Sequence, residues 1–280
     1  MGTLDYPAKS VRLIDPFGAG GGPDLIARAV AQPLSELWGQ PVAVENHPGA
    51  GSTAGPALVA KSPPDGHTLL VNTSAHAYCA AFKTNLPYDP LIDFVPVAPL
   101  TSQPYVLVAG IDAGVATLAE LISAAKARPG AIRFSSSGMG TGTHVGVEKL
   151  NLEARIETMH VPARGADAIA DTIDHTVVGR TDYALSPVSI ALPHIREHAL
   201  IALGVSTARR SRLLPEVPTL AEAGVKGFDF PIWYGLWAPA GTPLEVVDKL
   251  SESIERVLTE PALRVWLIEH DGDQIGRAHV

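Results

Sequence analysis

The sequence has a single cysteine, Cys79, so no disulfide can form within the chain. It also lacks a run of about 18 apolar residues, the length that a membrane-spanning helix requires, so we expect no membrane span. The chain starts without the hydrophobic segment of a signal peptide, which fits a mature domain with a replaced leader as well as a cytosolic protein. We therefore expect a globular chain without an internal disulfide or a membrane span.

Positive charge is also scarce, because the chain has only 21 Lys and Arg residues but 29 Asp and Glu residues. The net charge is therefore −8. This balance disfavours nucleic acid and anionic membrane surfaces as partners. With 46% hydrophobic and 18% charged residues, the 280-residue chain is globular and long enough for one large or two medium α/β domains. Any anion site on such a chain must be local, built from amides and hydroxyls.

Neither a phosphate-binding G-x-x-x-x-G-K-[ST] motif nor a G-x-S-x-G nucleophile elbow occurs. Instead, a short apolar strand from Val11 runs into Gly18, Gly20, Gly21 and Gly22, and a helix follows. A glycine loop before a helix N-terminus exposes backbone amides at the positive end of the helix dipole. This pattern predicts an anion-binding loop, and a plain tight βα turn is the alternative.

A second loop repeats this plan in the middle of the chain. A short strand at 132–134 leads into a turn whose hydroxyls and glycines are Ser135, Ser136, Ser137, Gly138, Gly140, Thr141, Gly142 and Thr143. Two donor-rich loops at the carboxyl ends of strands predict one ligand held between two lobes. Chance duplication of a turn type is the alternative.

Strands and helices alternate along the chain, which predicts a mainly parallel sheet with right-handed crossovers. Buried strands are expected at 42–45, 68–72, 105–109, 158–161, 182–185 and 201–205. The first helix should span about 23–38, kink at Pro33 and end at Gly39. Capping boxes are expected where Thr precedes Glu by three residues, at Thr117, Thr219 and Thr242, and the last should open a helix with an apolar stripe.

Longer motifs then point to a family. They include Pro16-Phe-Gly-Ala-Gly-Gly-Gly-Pro-Asp24, Glu45-Asn-His-Pro-Gly-Ala-Gly51, Pro64-Asp-Gly-His-Thr-Leu-Leu70, Ser136-Ser-Gly-Met-Gly-Thr141 and Trp233-Tyr-Gly-Leu-Trp-Ala-Pro-Ala-Gly-Thr-Pro243. In this order, from Tyr6 to about Gly272, the chain resembles the Bug (TctC-like) substrate-binding proteins of tripartite tricarboxylate transporters.

The resemblance implies an α/β, two-lobed periplasmic-binding-protein (type II) fold, with a mainly parallel sheet and flanking helices in each lobe and a two-crossing hinge. It places the first, discontinuous lobe at 1–101 and 226–280 and the second at 102–225. The implied function is non-catalytic, periplasmic capture of a small organic carboxylate between the lobes, followed by hinge closure and delivery to membrane transporter subunits.

Family members hold the ligand carboxylate through loops that match two segments of this chain. The implied ligand-binding residues are Phe17, Gly18, Ala19, Gly20, Gly21, Gly22, Asp24, Ser74, Ser136, Ser137, Gly138, Met139, Gly140, Thr141, Ala163, Arg164, Asp182, Tyr183 and Ser186. The expected ligand is a di- or tricarboxylate, an amino acid or an aromatic acid. No cofactor, metal, catalytic residue or nucleic-acid partner is expected, and the chain should be a monomer.

The chain departs from the family pattern at a few positions. Gly18 and Pro23 replace proline and threonine in the first loop, and Pro23 removes both a hydroxyl and an amide. Ala163 and Arg164 stand where tyrosine and lysine are common, which should widen the wall of the second lobe. The last residues, 275–280, match the translation of a common sequencing adaptor, so we interpret them as an assembly artefact.

Other residues keep two interpretations open. His144 and Glu148 have the spacing of two metal ligands on a helix, although a capping or packing histidine is favoured. Trp233, Tyr234 and Trp237 could stack on an aromatic ligand, although a core or hinge role is favoured. For the whole chain, the alternatives to transport are the same binding fold feeding a sensor and an enzyme that uses the glycine loops as an anion site.

Overall fold

A computed structural model describes residues 5–49, 52–82, 85–163 and 168–273. Arg164 and the residues 275–280 therefore lie outside the described residues. Contacts divide the chain into two units, one of 1–102 with 233–268 and 272–280, the other of 103–232 with 269–271. The segment 226–232, which the resemblance assigns to the first lobe, thus groups with the second unit, because the Phe230 amide donates to the Ser206 carbonyl. The functional lobe boundaries stay a prediction.

The described residues form ten strands and nine α-helices. The strands are β1 (Val11–Asp15), β2 (Val42–Asn46), β3 (Thr68–Thr73), β4 (Phe94–Gln103), β5 (Tyr105–Gly110), β6 (Arg133–Ser136), β7 (Met159–Pro162), β8 (Tyr183–Pro187), β9 (Leu200–Val205) and β10 (Ile232–Pro239). The helices are α1 (Gly22–Trp38), α2 (Ala54–Ala60), α3 (Ala75–Phe82), α4 (Leu118–Ala127), α5 (Gly142–Ala154), α6 (Ala168–Val177), α7 (Val188–Arg196), α8 (Leu244–Leu258) and α9 (Pro261–Glu269). No helix among the described residues combines the length and the apolar character needed to cross a membrane.

Each unit is built on one five-stranded sheet, and both sheets are mixed. The strand orders are β2-β1-β3-β10-β4 and β7-β6-β8-β5-β9. The strands that precede the two glycine loops, β1 and β6, pair in parallel with both neighbours. In contrast, β10 is antiparallel to β3, and β5 is antiparallel to β8 and β9. The expected parallel arrangement therefore holds for the strands that precede the loops. The exceptions, β5 and β10, are the strands that begin just after the chain passes from one unit to the other. No helical crossover precedes them, so nothing imposes a parallel direction.

The first helix has the predicted extent and the predicted C-terminal glycine. α1 ends at Gly39, whose φ of 66° is left-handed and whose amide donates to the carbonyl of Ser35. Pro33 lies inside the helix without ending it. Ile26 and Leu34 are buried on the face that packs toward the sheet, so the apolar periodicity anchors the helix that starts at the glycine loop.

The capping predictions separate into two outcomes. Thr117 forms the complete box at the start of α4, and Thr219 exchanges the same pair of hydrogen bonds with Glu222, although its segment is a turn and not a helix. The prediction for Thr242 is wrong, because its hydroxyl donates to the carbonyl of Pro239 at 2.8 Å and Pro243 occupies the N-cap of α8. The apolar stripe of α8 is buried except for its first member, Leu244.

Candidate functional site

The first glycine loop lies at the carboxyl edge of the first sheet, between β1 and α1. Ser74 follows β3, the parallel neighbour of β1, at the same edge. Two carboxylates at the ends of the loop accept hydrogen bonds from its backbone. The Phe17 amide donates to Asp15 Oδ1 and the Gly20 amide donates to Asp24 Oδ2, both at 2.9 Å. The Gly20 amide, predicted to hold a carboxylate, is therefore used within the loop. Among the described residues, no acceptor faces the amides of Gly18, Ala19, Gly22 and Asp24.

Asn46 braces this loop from the neighbouring strand, since the β1–β2 register places it beside Asp15. Its Nδ2 lies 3.0 Å from both Asp15 Oδ2 and Asp24 Oδ1, and 3.3 Å from the carbonyl oxygen of Phe17. Arg28 completes the network by donating to Asp24 and to Asn46 Oδ1. Sequence reasoning missed Asn46 and Arg28. The i, i+4 spacing of Asp24 and Arg28 was an available signal for the ion pair.

The two carboxylates of this network differ in their ionisation. Burial raises the pKa of Asp15 to about 7, the hydrogen bond from the Phe17 amide opposes this rise, and the charge of Asp24 adds to it. For Asp24, burial also acts to raise the pKa, but hydrogen bonds from Arg28 and the Gly20 amide bring it below its usual value. Asp24 is thus an ionised anchor of the loop, and its carboxylate is directed at protein donors and not at an anion.

Gly21 and Gly22 differ in how much space the structure leaves for a side chain. A Cβ on Gly22 would overlap the hydroxyl of Tyr234 and lie 2.9 Å from its Cζ, so the buried ring requires a glycine there. A Cβ on Gly21 would lie 3.4 Å from the carbonyl oxygen of Gly18, an ordinary contact, and Gly21 has an extended backbone. Packing therefore explains Gly22, whereas the first unit by itself leaves room at Gly21.

The tryptophans near Tyr234 belong to the core of the first unit. Trp237 is buried in an apolar cluster with Ile14, Leu70 and Phe94, and Trp233 packs against this cluster. Tyr234 is 1% exposed. The structure thus favours the core interpretation of these aromatic residues over stacking on a ligand.

The second glycine loop lies at the carboxyl edge of the second sheet, between β6 and α5. Its hydroxyls bind one another: Thr141 Oγ1 donates to the Gly138 carbonyl at 2.7 Å, and the Oγ1 atoms of Thr141 and Thr143 are 3.0 Å apart. The amide of Ser137 donates to Thr143 Oγ1. Among the described residues, no acceptor faces the amides of Met139, Gly142 and Thr143.

Two histidines support this loop. His160 Nε2 lies 2.6 Å from Ser136 Oγ, which accepts from the amide of Gly138, and the amide of Gly140 donates to His144 Nδ1 at 3.3 Å. Burial lowers the pKa of His160 to about 4, and His144 adds to this effect. Burial also lowers the pKa of His144, against the opposing charge of Glu148. Both imidazoles are therefore neutral at pH 7, and a neutral imidazole can accept the Gly140 amide.

His144 serves the loop through Nδ1, which accepts the hydrogen bond from the Gly140 amide. Its Nε2 lies 3.9 Å from a Glu148 carboxylate oxygen, and the described part of the chain contains no cluster of three or more His, Cys, Asp and Glu side chains placed to hold a metal ion. The packing interpretation, with a backbone amide as the partner, fits this geometry.

Ser136 and His160 also have the spacing of a nucleophile and its base, which the sequence does not show. However, Ser136 is fully buried, and its oxygen already accepts from the Gly138 amide. A nucleophile needs an exposed hydroxyl, so this pair fits support of the loop better than catalysis.

The remaining predicted residues divide between the two ends of the second sheet. The Ala163 amide donates to the Ser136 carbonyl, and the buried Ser186 lies near the carboxyl end of β8, so both are at the loop edge. Asp182 instead accepts from the Arg133 amide at the start of β6. Tyr183 is fully buried and its hydroxyl lies 2.9 Å from Thr158 Oγ1. The structure thus places Asp182 and Tyr183 away from the loop, because they precede the carboxyl end of a parallel strand.

Comparisons with known proteins agree with this architecture. The model of the tripartite tricarboxylate transporter family receptor, TctC, matches residues 26–277. A Pseudomonas protein described as a UPF0065 protein in the tcbD-tcbE intergenic region is 38% identical over 91% of this chain and 76% of its own length. The protein BugT of Bordetella pertussis is 34% identical over 92% of this chain and 79% of its own.

Solved structures show the same fold over nearly the whole chain. Rpa4515 of R. palustris with adipate has a TM-score of 0.87 and 31% identity, and covers 96% of this chain and 89% of its own. MatC from Rhodopseudomonas palustris with bound malate has a TM-score of 0.84 and 32% identity, covering 95% and 90%. The periplasmic binding protein BugD has a TM-score of 0.83 and 29% identity, covering 96% and 89%. The predicted two-domain α/β periplasmic-binding fold is confirmed, and the chain belongs to the TctC family of tripartite tricarboxylate transporter receptors.

Proposed function

We propose that this chain is a periplasmic solute-binding protein that captures a small organic carboxylate and delivers it to the membrane subunits of a tripartite tricarboxylate transporter. The proposal assigns the ligand carboxylate to the two glycine loops, one in each unit. It also assigns the two units to the lobes of a binding protein that closes on its ligand, with the lobe boundaries near residues 101 and 225.

The observation that carries the proposal is the set of amides that each loop leaves without an acceptor. In the first loop Asn46 and Asp24 fix the backbone, and in the second loop His144 and Ser136 do so, so the loop shape does not depend on the ligand. Preorganised backbone N–H groups at a helix N-terminus suit an anion. Hydrogen bonds to a charged group contribute about 1.5–3 kcal/mol each, so a handful can supply the roughly −8 kcal/mol of micromolar affinity after the costs of binding.

The charges of the network support a ligand held by neutral donors. Arg28 is paired with Asp24, so its charge is already compensated beneath the first loop. In the second unit, Arg133 is paired with Asp182 at the far end of β6. An amide-built site accounts for Gly21, which packing within the first unit does not explain and which an arginine-built site would also leave unexplained.

Two relatives of known structure support the ligand class, because one was solved with adipate and the other with bound malate, and both ligands are dicarboxylates. We extend this class to the present chain, and we keep tricarboxylates, amino acids and aromatic acids as further candidates. Binding is proposed in preference to catalysis, because Ser136 is buried and BugD is described as a periplasmic binding protein.

A thermal-shift screen over mono-, di- and tricarboxylates tests the proposal. A ligand at 100 times its dissociation constant stabilises the folded chain by about 2.7 kcal/mol, which is easily measured. Titration of Gly21→Val and Thr141→Val variants, one in each unit, should then show weaker binding in both. Normal binding by folded Gly21→Val would remove the first loop from the site, normal binding by folded Thr141→Val would remove the Thr141 hydroxyl from it, and a lack of stabilisation by every acid would reject carboxylate capture.

A further inference from the structure

Ser74 and Tyr78 place two unpaired hydroxyls at the carboxyl edge of the first sheet. Ser74 is 4% exposed and directly precedes α3, and Tyr78 lies one helical turn further along the same face. Ser74 Oγ and Tyr78 Oη are both buried, and neither reaches full hydrogen-bond geometry with any described residue. Burial raises the pKa of Tyr78 to about 12, and a hydrogen bond with the Ser74 hydroxyl opposes this rise. The two hydroxyls are therefore close enough to interact weakly with each other, but no further group among the described residues completes their hydrogen bonding.

Buried hydroxyls without full hydrogen bonding are costly and uncommon in folded proteins. Such a pair therefore indicates that a further hydrogen-bonding group, such as a ligand, binds there. Within the described residues, no other buried hydroxyl lacks a partner. For example, Tyr6 Oη donates to the Gly66 carbonyl at 2.6 Å, and Tyr183 Oη is bonded to Thr158. The unpaired hydroxyls of the described residues are therefore confined to the edge around Ser74.

This edge continues into the first glycine loop through β10. The Ser74 amide donates to the carbonyl of Trp233 at 2.8 Å, and the next residue, Tyr234, pairs with Thr73. The Tyr234 ring in turn lies against Gly22. The backbone that precedes α3 and the start of α1 are therefore both in contact with β10, at Trp233 and Tyr234, within one unit.

We propose that the Ser74 and Tyr78 hydroxyls bind the second carboxylate of a dicarboxylate ligand whose first carboxylate lies on the glycine loops. This inference rests on the proposed function and adds Tyr78 as a residue that determines specificity. Two O–H donors at the first turn of α3 offer hydrogen bonds to an anion, and the helix dipole has the matching sign. A monocarboxylate of equal length would leave both hydroxyls unpaired, so it should bind more weakly.

Calorimetric titration of adipate against hexanoate, and of malate against 3-hydroxybutyrate, tests the proposal. Wild-type protein should prefer the dicarboxylate of at least one pair. Ser74→Ala and Tyr78→Phe should each weaken dicarboxylate binding by about 10- to 150-fold, the equivalent of one hydrogen bond to a charged group, and change monocarboxylate binding by less than about twofold. An unchanged preference in both variants would overturn the role of the two hydroxyls while leaving carboxylate binding intact. Wild-type protein that binds none of the four acids would count against the proposed function as well.

Thermal unfolding without ligand separates a binding role from a structural one. Removing an unpaired hydroxyl should leave the melting temperature of Ser74→Ala and Tyr78→Phe unchanged or higher. Tyr183→Phe is the matched control, because its hydroxyl is bonded to Thr158 and its loss should lower the melting temperature. A fall in Tyr78→Phe as large as that in the control would show an internal partner and overturn the proposal.

Discussion

Alanine and valine substitutions at Gly22 and Gly21 should separate the packing of the first loop from its ligand binding. In Gly22→Ala the new Cβ meets the ring of Tyr234, which is 1% exposed and has no solvent to move into. Overpacking of this kind costs about 1–3 kcal/mol, and the usual gain of about 0.5–1 kcal/mol for alanine over glycine in a helix offsets part of it. We expect a net loss of about 1–2 kcal/mol, or about 2–8 °C in melting temperature.

Gly21→Val should behave in the opposite way. Gly21 has φ of −72° and ψ of 167°, a conformation that valine adopts readily, and its nearest contact beyond the adjoining residues is the Gly18 carbonyl at 3.4 Å. The melting temperature should stay near that of the wild type. The added isopropyl group should hinder access to the neighbouring amides. The loss of one hydrogen bond to a charged group lowers affinity by roughly 10- to 150-fold.

Urea or thermal unfolding and calorimetry on both variants provide the test. The double variant Gly22→Ala with Tyr234→Phe is the control, since removing the overlapping hydroxyl should recover part of the lost stability. A Gly22→Ala protein as stable as the wild type would refute the packing argument. A folded Gly21→Val protein with wild-type affinity would refute the assignment of the first loop to the ligand.

Three further predictions concern charge. Because burial raises the pKa of Asp15 to about 7, while the unfolded chain ionises near 4, the contribution of Asp15 to stability falls as pH rises through this window. Urea unfolding should show Asp15→Asn gaining roughly 2–3 kcal/mol relative to wild type between pH 5 and pH 8, and parallel pH profiles would contradict this. Burial lowers the pKa of His160 to about 4, so the unfolding free energy should fall as pH drops from about 6.5 toward 4. This fall should be less steep in His160→Gln. Equal slopes of unfolding free energy against pH in the two proteins would argue against a buried neutral His160. Finally, stopped-flow association of a carboxylate should be insensitive to salt or slightly faster at high salt, because the net charge is −8; a steep fall would indicate a site built on arginine.

The strands recognised from sequence are those with apolar, β-branched runs between turn residues. β3, β5 and β9 lie within a residue of the expected ranges. Sequence reasoning missed β4 and β10. β4 contains Pro96 and Pro99, which argue against a strand by local rules, yet it forms the edge of its sheet. β10 contains the aromatic motif around Trp233, whose sequence does not indicate a strand. Its pairing with β3 is what makes it one.

The two glycine loops were predicted from sequence, but the groups that hold them were not. Asn46 and His160 lie 31 and 24 residues from the atoms they brace, Asp15 Oδ2 and Ser136 Oγ. No local pattern links such positions, because the pairing of neighbouring parallel strands creates the contact. The same limit explains Asp182, which was assigned to the site but pairs with Arg133 at the opposite end of β8.

The sequence by itself determined where backbone amides would be exposed, because glycine content and the position of a helix start are local properties. It also determined the family, because ordered motifs extend over nearly the whole chain. Tertiary structure alone decided which amides remain available, since the Gly20 amide binds Asp24 and the Gly140 amide binds His144. It likewise left the hydroxyls of Ser74 and Tyr78 without a partner among the described residues other than each other. Hydrogen-bond satisfaction depends on which groups meet in space, and that is fixed only when the sheets form.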